Sequence, residues 1–326
     1  MFTRLTATAI IFALGSAPAW ADTYSDCLRA SSPKLQLHAC SAVAGSNVYS
    51  AQQRARALRL RGGLHAQAGA HQRAIEDFNS ALALLPDDMV ALEKRALSLV
   101  SLSRYEMAIA DLTGLIARKP KVARLLVERG YVYLISDRTD AAISDFSAAL
   151  AVQPQHAVAL NNRGLAYRKK GDLSAARADY TAAIAVAPTY ALAYANRGYA
   201  YEAEGMKKQA IADLRLALHF NPKLASVAVV LGRLGDRTAR SDAEKLLKAG
   251  KTIAQTLCSR CHALEPQGDS PNPKAPPFRD IGKRYPLIAL REPINRSIAA
   301  PHDQMPHFSL QDADVDNLVA FINSLN

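Results

Sequence analysis

Cysteine and tryptophan are scarce in this sequence, with 4 Cys and 1 Trp in 326 residues. So few cysteines exclude a small scaffold that depends on many disulfides. Glycine and proline, 16 of each, are too rare for a collagen-like or low-complexity chain. Hydrophobic residues make up 49% of the sequence, so the chain is able to bury a sizeable core. Its length predicts about two domains.

The first 21 residues have the pattern of a secretory signal. Arg4 precedes an apolar stretch, and Ala19-Trp20-Ala21 provides a small-residue cleavage site. An uncleaved anchor is the alternative, but the apolar stretch is shorter than the roughly 20 residues that span a bilayer. No other stretch is long and apolar enough to cross a membrane. We therefore predict a signal peptide over residues 1–21 and a mature, periplasmic protein without a transmembrane anchor, in an oxidising compartment.

Basic residues are concentrated in the first part of the chain, which has a formal net charge of +11. Residues 241–326 contain ten basic and ten acidic residues, and Arg4 lies in the predicted signal. The remaining 29 basic and 19 acidic residues give residues 22–240 a net charge of +10. They form no basic-aromatic patch typical of nucleic-acid readers, so we predict no nucleic-acid partner. An acidic protein or an anionic membrane surface would be attracted by such a charge.

A period of 34 residues runs through the middle of the sequence. Four residue types recur in this register: Pro86, Pro120, Pro154, Pro188 and Pro222; Arg61, Arg95, Arg129, Arg163 and Arg197; Ala74, Ala108, Ala142, Ala176 and Ala210; Asp77, Asp111, Asp145, Asp179 and Asp213. A small residue follows each Arg, namely Gly62, Ala96, Gly130, Gly164 or Gly198. A large residue lies four positions after each Ala, namely Phe78, Leu112, Phe146, Tyr180 or Leu214.

This small-large pattern ending in Pro resembles the tetratricopeptide repeat (TPR) family, five times over residues 55–222. Apolar residues at i, i+3, i+4 and i+7 predict two helices in each repeat, separated by a turn. Gly occupies that turn in three repeats, while Ser103 and Asp137 replace it in the other two. The small residue would let the helices approach each other, and the Pro would end the second helix. The sequence therefore predicts a helical solenoid.

Two sets of polar residues stand out in the repeats. The Arg and Asp that recur once in every repeat predict a regular ion pair, and such pairs contribute about 0–1 kcal/mol each when exposed. A role copied five times is structural rather than catalytic. Function in solenoids of this kind usually lies on the concave face formed by the first helices. There, Asn161, Asn162 and Asn196 are candidates for binding a partner protein, with ordinary solvated helix residues as the alternative.

The segments that flank the repeats are also helical in pattern. Cys27 and Cys40 lie in residues 22–54, where a break near Pro33 indicates a helical hairpin. In an exported protein we predict a disulfide between its two arms. Residues 223–240 read as a capping helix followed by a linker at Gly235-Asp236, since a solenoid must cover its last apolar face.

The other two cysteines lie in Cys258-Ser259-Arg260-Cys261-His262. This C-x-x-C-H spacing suits one covalently attached haem c, because one helical turn places both thiols at the haem edge and the adjacent His at the iron. A thioredoxin-like redox pair would need a strand-helix-strand context, and a structural zinc site would need more ligands nearby. We therefore assign Cys258, Cys261 and His262 to haem binding, with His262 as an axial ligand of the iron.

Residues 241–326 resemble a single-haem class I c-type cytochrome over their whole length. A capping box of Ser241 and Glu244 predicts a helix over residues 243–256 that leads into the motif. Gly250 and Ala254 would admit a closing helix at close range, predicted over residues 312–325 with Ser309 as its cap. The predicted fold class is all-α, with a five-repeat TPR solenoid over residues 55–222 followed by this small cytochrome domain.

The resemblance extends to the segment between the two helices. Pro276, Pro277 and Phe278 would wall the haem edge, with an ordinary Pro-rich surface loop as the alternative. A backbone carbonyl of this loop would accept the Nδ1 proton of His262. Met305, followed by Pro306, matches the family's Met ligand, and His302 and His307 are its competitors.

These features predict an electron carrier rather than an enzyme. Two axial ligands leave the iron no open position for a substrate, so one-electron transfer is the expected chemistry. The repeats would then dock a redox partner of a periplasmic electron-transfer chain. A scaffold or assembly factor of a respiratory complex, with a structural or redox-sensing haem, is the main alternative. A peroxidase would need an iron that binds external ligands.

Overall fold

A computed structural model describes residues 19–265, 267–273, 275–284 and 310–325. All the regular elements in these ranges are helices, which confirms the predicted all-α class. The chain divides into two compact units, residues 1–91 and 92–326. Residues 1–18 of the predicted signal peptide lie outside the described residues, and its last three residues begin the first helix.

The helices follow one another in the chain with short connections. In order they are α1 (Ala19–Arg29), α2 (Pro33–Gly45), α3 (Ala51–Gln67), α4 (His71–Leu84), α5 (Met89–Ser101), α6 (Tyr105–Arg118), α7 (Ala123–Ile135), α8 (Thr139–Val152), α9 (Ala157–Lys170), α10 (Leu173–Val186), α11 (Ala191–Ala203), α12 (Lys207–Phe220), α13 (Ala225–Arg233), α14 (Arg237–Leu257), α15 (Phe278–Arg284) and α16 (Asp312–Ser324).

The first unit begins with the hairpin of α1 and α2. A disulfide joins Cys27 of α1 to Cys40 of α2, as predicted, and both residues are fully buried. Ser32 caps α2 by accepting a hydrogen bond from the Leu35 amide. Ser50 and Gln53 form a capping box at the start of α3. These caps satisfy amide groups that have no partner inside a helix.

Replacing both Cys27 and Cys40 with Ala is expected to lower the free energy of unfolding of the hairpin by about 3 kcal/mol. The bond closes a short loop in the unfolded chain, so its loss increases the entropy of the unfolded state. Urea unfolding followed by circular dichroism would measure the change. An equal urea midpoint for the oxidised protein and the double variant would contradict the prediction.

Helical hairpins with the predicted period make up the repeats. The pairs α3–α4, α7–α8, α9–α10 and α11–α12 each pack against each other along their length. A Cβ added at Gly130 of α7 would lie 2.8 Å from Cε1 of Phe146 in α8, so only Gly permits this approach. The turns confirm the register, because Ser103 and Asp137 adopt the positive φ values of 55° and 67° that Gly adopts in the other repeats.

The predicted Arg–Asp pairs are all present, but they are not exposed. Each guanidinium donates two hydrogen bonds to its carboxylate, for example from Arg163 to Asp179 at 2.8 Å for both. The Asp side chains are only 7–9% exposed, and the Arg side chains are 17–25% exposed. The expectation of weak surface pairs is therefore wrong, because each pair lies between packed helices. Arg163 also donates to Ser147 of the preceding repeat, which links neighbouring repeats.

The C-terminal end of the solenoid differs from the prediction in one respect. Helix α13 caps the last repeat by packing against α12, as expected. The next helix was predicted to start at residue 243 with Ser241 as its cap, but α14 begins at Arg237 and contains Ser241. Gly235 and Asp236 are therefore a tight turn between two helices rather than an extended linker. Helix α13 also packs against α16, the predicted closing helix.

Candidate haem site

The two thiols of the C-x-x-C-H motif lie on the turn that directly follows α14. The Cys258 amide donates to the Ala254 carbonyl, and the amides of Cys261 and His262 donate to the Cys258 carbonyl. This turn places Cys258 and Cys261 about one helical turn apart. Both are free thiols, Cys258 buried and Cys261 half-buried. The sequence spacing therefore corresponds to one hydrogen-bonded turn of backbone that carries both sulfurs.

Burial changes the acidity of one of these thiols. Removal from water, and to a smaller extent the nearby Cys261, raises the pKa of the Cys258 thiol to about 11. Burial disfavours the charged thiolate, and the neighbouring Cys261 provides no positive charge that would stabilise it. At neutral pH Cys258 is therefore protonated.

In protein produced without haem, iodoacetamide at pH 8 is expected to modify Cys261 well before Cys258. The thiolate is the nucleophile, and a pKa near 11 leaves only about one Cys258 in a thousand ionised at that pH. Mass spectrometry of tryptic peptides over time would give the two rates. The difference should narrow as the pH is raised, and equal rates at pH 8 would contradict the burial of Cys258.

His262 is held in a defined orientation. Its side chain is buried, and Nδ1 lies 2.7 Å from the carbonyl oxygen of Pro276. Because a carbonyl only accepts, Nδ1 must carry the ring proton, which leaves the lone pair of the neutral imidazole at Nε2. The ring also lies 5.2 Å from that of Phe278. The predicted loop carbonyl thus exists, and the structure identifies it as that of Pro276.

Backbone hydrogen bonds attach the Pro-rich loop to the motif. The Asn272 amide donates to the Cys261 carbonyl, and the Phe278 amide donates to the Ala263 carbonyl. The hydroxyl of Ser270 accepts a hydrogen bond from the Ala263 amide. The loop therefore folds back over the motif and brings Pro276, Pro277 and Phe278 beside His262. Ser270 and Asn272 were not singled out in the sequence, since their role depends on this fold-back.

Helices α14 and α16 provide the framework of the site. Ala254, Cys258 and Phe278 share one apolar cluster with the buried face of α16, which consists of Val315, Leu318, Val319, Phe321 and Ile322. The helices cross at Gly250, where an added Cβ would lie 2.0 Å from the Asn317 carbonyl oxygen. The predicted close approach of the closing helix is therefore present, and it involves the backbone of α16.

The residues present fit a covalently held haem c. Two thiols one turn apart, a buried imidazole with its lone pair at Nε2 and an apolar wall at Phe278 are the donor set and surface that such a group requires. No cluster of three or more His, Cys, Asp or Glu side chains suited to a metal ion occurs in the described ranges. Met305, His302 and His307 lie outside the described residues, so the second axial ligand is a prediction from sequence.

The candidate partner-binding asparagines require a correction. Asn161 and Asn196 are 2% and 1% exposed, so they do not form an accessible clamp. The side-chain amide of Asn196 instead donates a hydrogen bond to the side-chain Oδ1 of Asn161 at 2.9 Å, which joins two consecutive repeats. Asn162 is half-buried and accepts from Asn161. Helical periodicity alone did not distinguish the interface between repeats from the concave surface.

Comparison with known families matches both parts of the chain. The sequence profile of the Cytochrome c family covers residues 247–326. Profiles of tetratricopeptide repeats cover residues 39–88 and 93–157, 164–205, and 191–224. The predicted combination of repeats and cytochrome domain is thereby confirmed. Within the described part of the chain, no helix has the length and hydropathy needed to span a membrane.

Three solved structures are similar to this chain, and the first of them supports the repeat fold. A tetratricopeptide repeat protein from Parabacteroides merdae ATCC 43184 is 19% identical and has a TM-score of 0.61, with 74% of this chain and 93% of that chain covered. A thermophilic TPR protein of Thermus thermophilus is 23% identical, with a TM-score of 0.46 and coverages of 55% and 98%. MamA from Desulfovibrio magneticus RS-1 is 21% identical, with a TM-score of 0.45 and coverages of 52% and 94%.

A search of curated proteins found no significant match. The family profiles therefore provide the assignment. Cytochrome c domains carry covalent haem, and tetratricopeptide repeats bind other proteins. The chain is a haem protein with a protein-interaction module, in which tetratricopeptide repeats are joined to a C-terminal domain of the cytochrome c family.

Proposed function

We propose that the protein is a periplasmic one-electron carrier whose repeats dock a redox partner. The observation that carries this proposal is the orientation of His262. Its Nδ1 proton is directed at the Pro276 carbonyl, so Nε2 is the nitrogen that would ligate iron. Haem c, when bound, supplies one-electron exchange at its iron. Cys258 and Cys261 would hold one such group through thioether bonds.

Met305 is proposed as the second axial ligand. Its thioether sulfur is a weak donor that favours ferrous iron, so His262 with Met305 would give a higher reduction potential than two His ligands. His302 and His307 flank Met305 in sequence and are the side chains that would replace it. If His262 and Met305 both held the iron, no position on it would be left for a substrate, so we propose no enzymatic role.

Two observations support an exported protein. The Cys27–Cys40 bond is typical of a protein in an oxidising compartment, in which structural disulfides persist. The predicted signal over residues 1–21 provides the route. For the repeats, docking a partner would raise its local concentration near the haem domain, and the rate of electron exchange would increase accordingly.

Absorption spectra of the exported protein would test the proposed haem ligation. We expect a low-spin c-type spectrum, no change when carbon monoxide is added to the reduced protein, and a far-red sulfur-to-iron band. The Met305→Ala variant should lose that band and bind carbon monoxide, whereas His302→Ala and His307→Ala should retain the wild-type spectrum. If the wild-type reduced protein binds carbon monoxide readily, the iron has an open position and the electron-carrier proposal fails.

The docking role needs its own test. A protein lacking residues 55–222 should exchange electrons with its periplasmic partner more slowly than the full chain, while its haem spectrum is unchanged. An equal rate would count against docking through the repeats.

A scaffold with a structural haem is the second candidate, and the packing of α13 against both α12 and α16 favours it. This packing builds the haem domain directly onto the end of the solenoid, as a structural haem would require. The Cys258→Ala/Cys261→Ala variant separates the two functions. Partner capture that persists in this variant, together with no electron flux through the wild-type protein, would support the scaffold.

A further inference from the structure

The turn between α13 and α14 has the hydrogen bonds of a turn inside a repeat. At Gly171 and at Gly205, the glycine amide donates to the carbonyl three residues before it, and the next amide donates to the carbonyl five residues before it. Gly235 and Asp236 form the same two hydrogen bonds, at 3.1 and 3.0 Å. All three glycines have positive φ values, of 88°, 74° and 89°. The α13–α14 connection is therefore a repeat turn.

The 34-residue register also continues into α13. This helix begins at Ala225, which lies 34 residues after Ala191 at the start of α11. Gly232 occupies the small-residue position, 34 residues after Gly198. Helix α13 has 9 residues whereas α11 has 13, so α13 ends about one helical turn early. The α13–α14 hairpin thus has the form of a sixth, shortened repeat.

Helix α14 takes part in two apolar cores. Ala239, in its first turn, lies in one buried cluster with Leu214 of α12 and Leu231 of α13. Ala254, in its last turn, lies in the cluster of the haem domain that contains Cys258. The helix has 21 residues, which corresponds to a length of about 31 Å. The second helix of the sixth repeat is therefore also the helix that leads into the haem attachment motif.

A polar contact links successive repeats, and its chemistry changes at the last junction. In the earlier junctions the recurring Arg donates to a hydroxyl in the second helix of the preceding repeat, as in Arg129 to Thr113, Arg163 to Ser147 and Arg197 to Thr181. In the α13–α14 hairpin, Leu231 occupies the position of the Arg, and Arg215 of α12 occupies the position of the hydroxyl. Arg215 donates instead to the Asp236 carboxylate, at 2.7 Å.

This ion pair attaches the start of α14 to the fifth repeat. The Asp236 side chain is only 3% exposed, so the Arg215 guanidinium provides a counter-charge for a buried carboxylate. The same carboxylate is directed at the Ala239 amide in the first turn of α14, at 3.5 Å. A shift of Asp236 would therefore move the beginning of a helix whose other end carries the haem thiols.

We propose that Arg215 is a positioning residue for electron transfer, which acts through Asp236 to fix the direction of α14 and so the distance between the haem and a docked partner. The reaction is the transfer of one electron from the reduced partner to ferric haem, which leaves an oxidised partner and ferrous haem. Its rate falls steeply with distance, so a site on a rigid element is favoured. The inference rests on the proposed electron-carrier function and specifies how the repeats and the haem are coupled.

Pulsed dipolar EPR of the full-length haem protein would test the proposal, with ferric haem and a nitroxide as the two spins. Because the four native cysteines are in the disulfide or bound to haem, a cysteine introduced as Gln209→Cys on the exposed side of α12 is the single labelling site. We expect a narrow distribution of haem–nitroxide distances. Arg215→Met should widen it at least twofold, whereas Arg215→Lys should stay close to wild type because it keeps the charge.

Arg177→Met is the matched control. Arg177 of α10 forms an ion pair at 2.7 Å with Glu204, at the end of α11, so it makes the corresponding contact one repeat earlier. Both Gln209 and the haem motif follow this contact in the chain. Loss of the Arg177–Glu204 pair should therefore leave the distance distribution unchanged.

A double variant separates positioning from stability. Arg215→Met/Asp236→Asn removes the buried carboxylate that Arg215→Met would deprive of its ion pair, and it keeps a side chain that caps helices well. We expect the double variant to unfold near the wild-type temperature and to keep the wild-type haem spectrum, but to show the broad distance distribution of Arg215→Met. A lower unfolding temperature for Arg215→Met with a narrow distribution in both variants would assign Arg215 to stability alone and overturn the proposal.

Three further results would also overturn it. These are a broad distribution in the labelled protein without other substitutions, equal broadening by Arg177→Met and Arg215→Met, and broadening that Arg215→Lys shows in full. The distances are measured without a partner and do not depend on carbon monoxide binding. Failure of this inference is therefore distinguishable from failure of the proposed function, which is tested by the haem spectra and by deletion of residues 55–222.

Discussion

Replacing Gly250 with Val is expected to prevent the C-terminal domain from folding stably. An added Cβ would lie 2.0 Å from the carbonyl oxygen of Asn317 and 2.7 Å from its carbonyl carbon. These are backbone atoms of α16, so no side-chain rotation relieves the overlap, and the two helices must separate. We expect a loss of at least about 3 kcal/mol in the free energy of unfolding of this domain. Gly250→Ala should show a large part of this loss.

Thermal unfolding would measure the effect, followed at the haem absorbance for the C-terminal domain and by circular dichroism for the whole chain. Gly63→Ala is the matched control, since Gly63 lies within α3 and an added Cβ there meets nothing within 4 Å. Because Ala is the better helix former, this variant should unfold at the same temperature or slightly higher. Wild-type unfolding of Gly250→Ala at the haem absorbance would contradict the close crossing of α14 and α16.

For α14, the sequence predicted the close packing against α16 but not the residue at which the helix begins. The small residues Gly250 and Ala254 predicted that a helix packs closely, because spacing of four residues places them on one face. The start of α14 was not predicted, because the chain offers two residues of capping type. Asp236 is directed at the Ala239 amide at 3.5 Å and is paired with Arg215 at 2.7 Å, so it begins the helix instead of Ser241. Arg215 lies 21 residues before Asp236 in the sequence, so no local pattern predicts this ion pair.

At the haem site too, the residues of the local motif could be predicted from the sequence, but the long-range hydrogen bonds could not. The positions of Cys258, Cys261 and His262 follow from a five-residue motif whose spacing reflects one helical turn. The partner of His262 Nδ1 is a backbone carbonyl, which every residue of the loop possesses, so sequence could not single out Pro276. The hydrogen bonds that fold the loop back involve the amides of Asn272 and Phe278. Their geometry exists only once the loop is folded.

Burial was the property that the repeat pattern predicted least well. The 34-residue register correctly paired Arg with Asp, and it correctly placed turns at Ser103 and Asp137. It did not indicate that the Asp side chains are buried or that Asn161 and Asn196 lie between repeats. Both facts depend on how neighbouring hairpins stack, and the period of a single repeat contains no information about the stacking angle.

Replacing Arg129 with Met is consequently expected to cost far more than loss of a surface ion pair. Arg129 donates to both carboxylate oxygens of Asp145, at 2.7 and 2.8 Å, and to the Thr113 hydroxyl in the preceding repeat. The Asp145 side chain is 8% exposed, so without Arg129 it becomes a buried charge that has lost its partner. We expect the free energy of unfolding to fall by about 3–5 kcal/mol. Urea unfolding followed by circular dichroism would measure it.

A second substitution distinguishes the destabilisation caused by an unpaired Asp145 carboxylate from the net contribution of the Arg129–Asp145 pair to the free energy of unfolding. The Arg129→Met/Asp145→Leu variant should recover most of the lost stability, because replacing both buried partners with apolar residues is often neutral. Arg138→Gln is the exposed control. Its partner Glu106 has a side chain that is 71% exposed, so the expected change is below about 1 kcal/mol. Equal losses for Arg129→Met and Arg138→Gln would mean that the recurring pairs act as surface pairs, and the link between neighbouring repeats would then have to come from apolar packing alone.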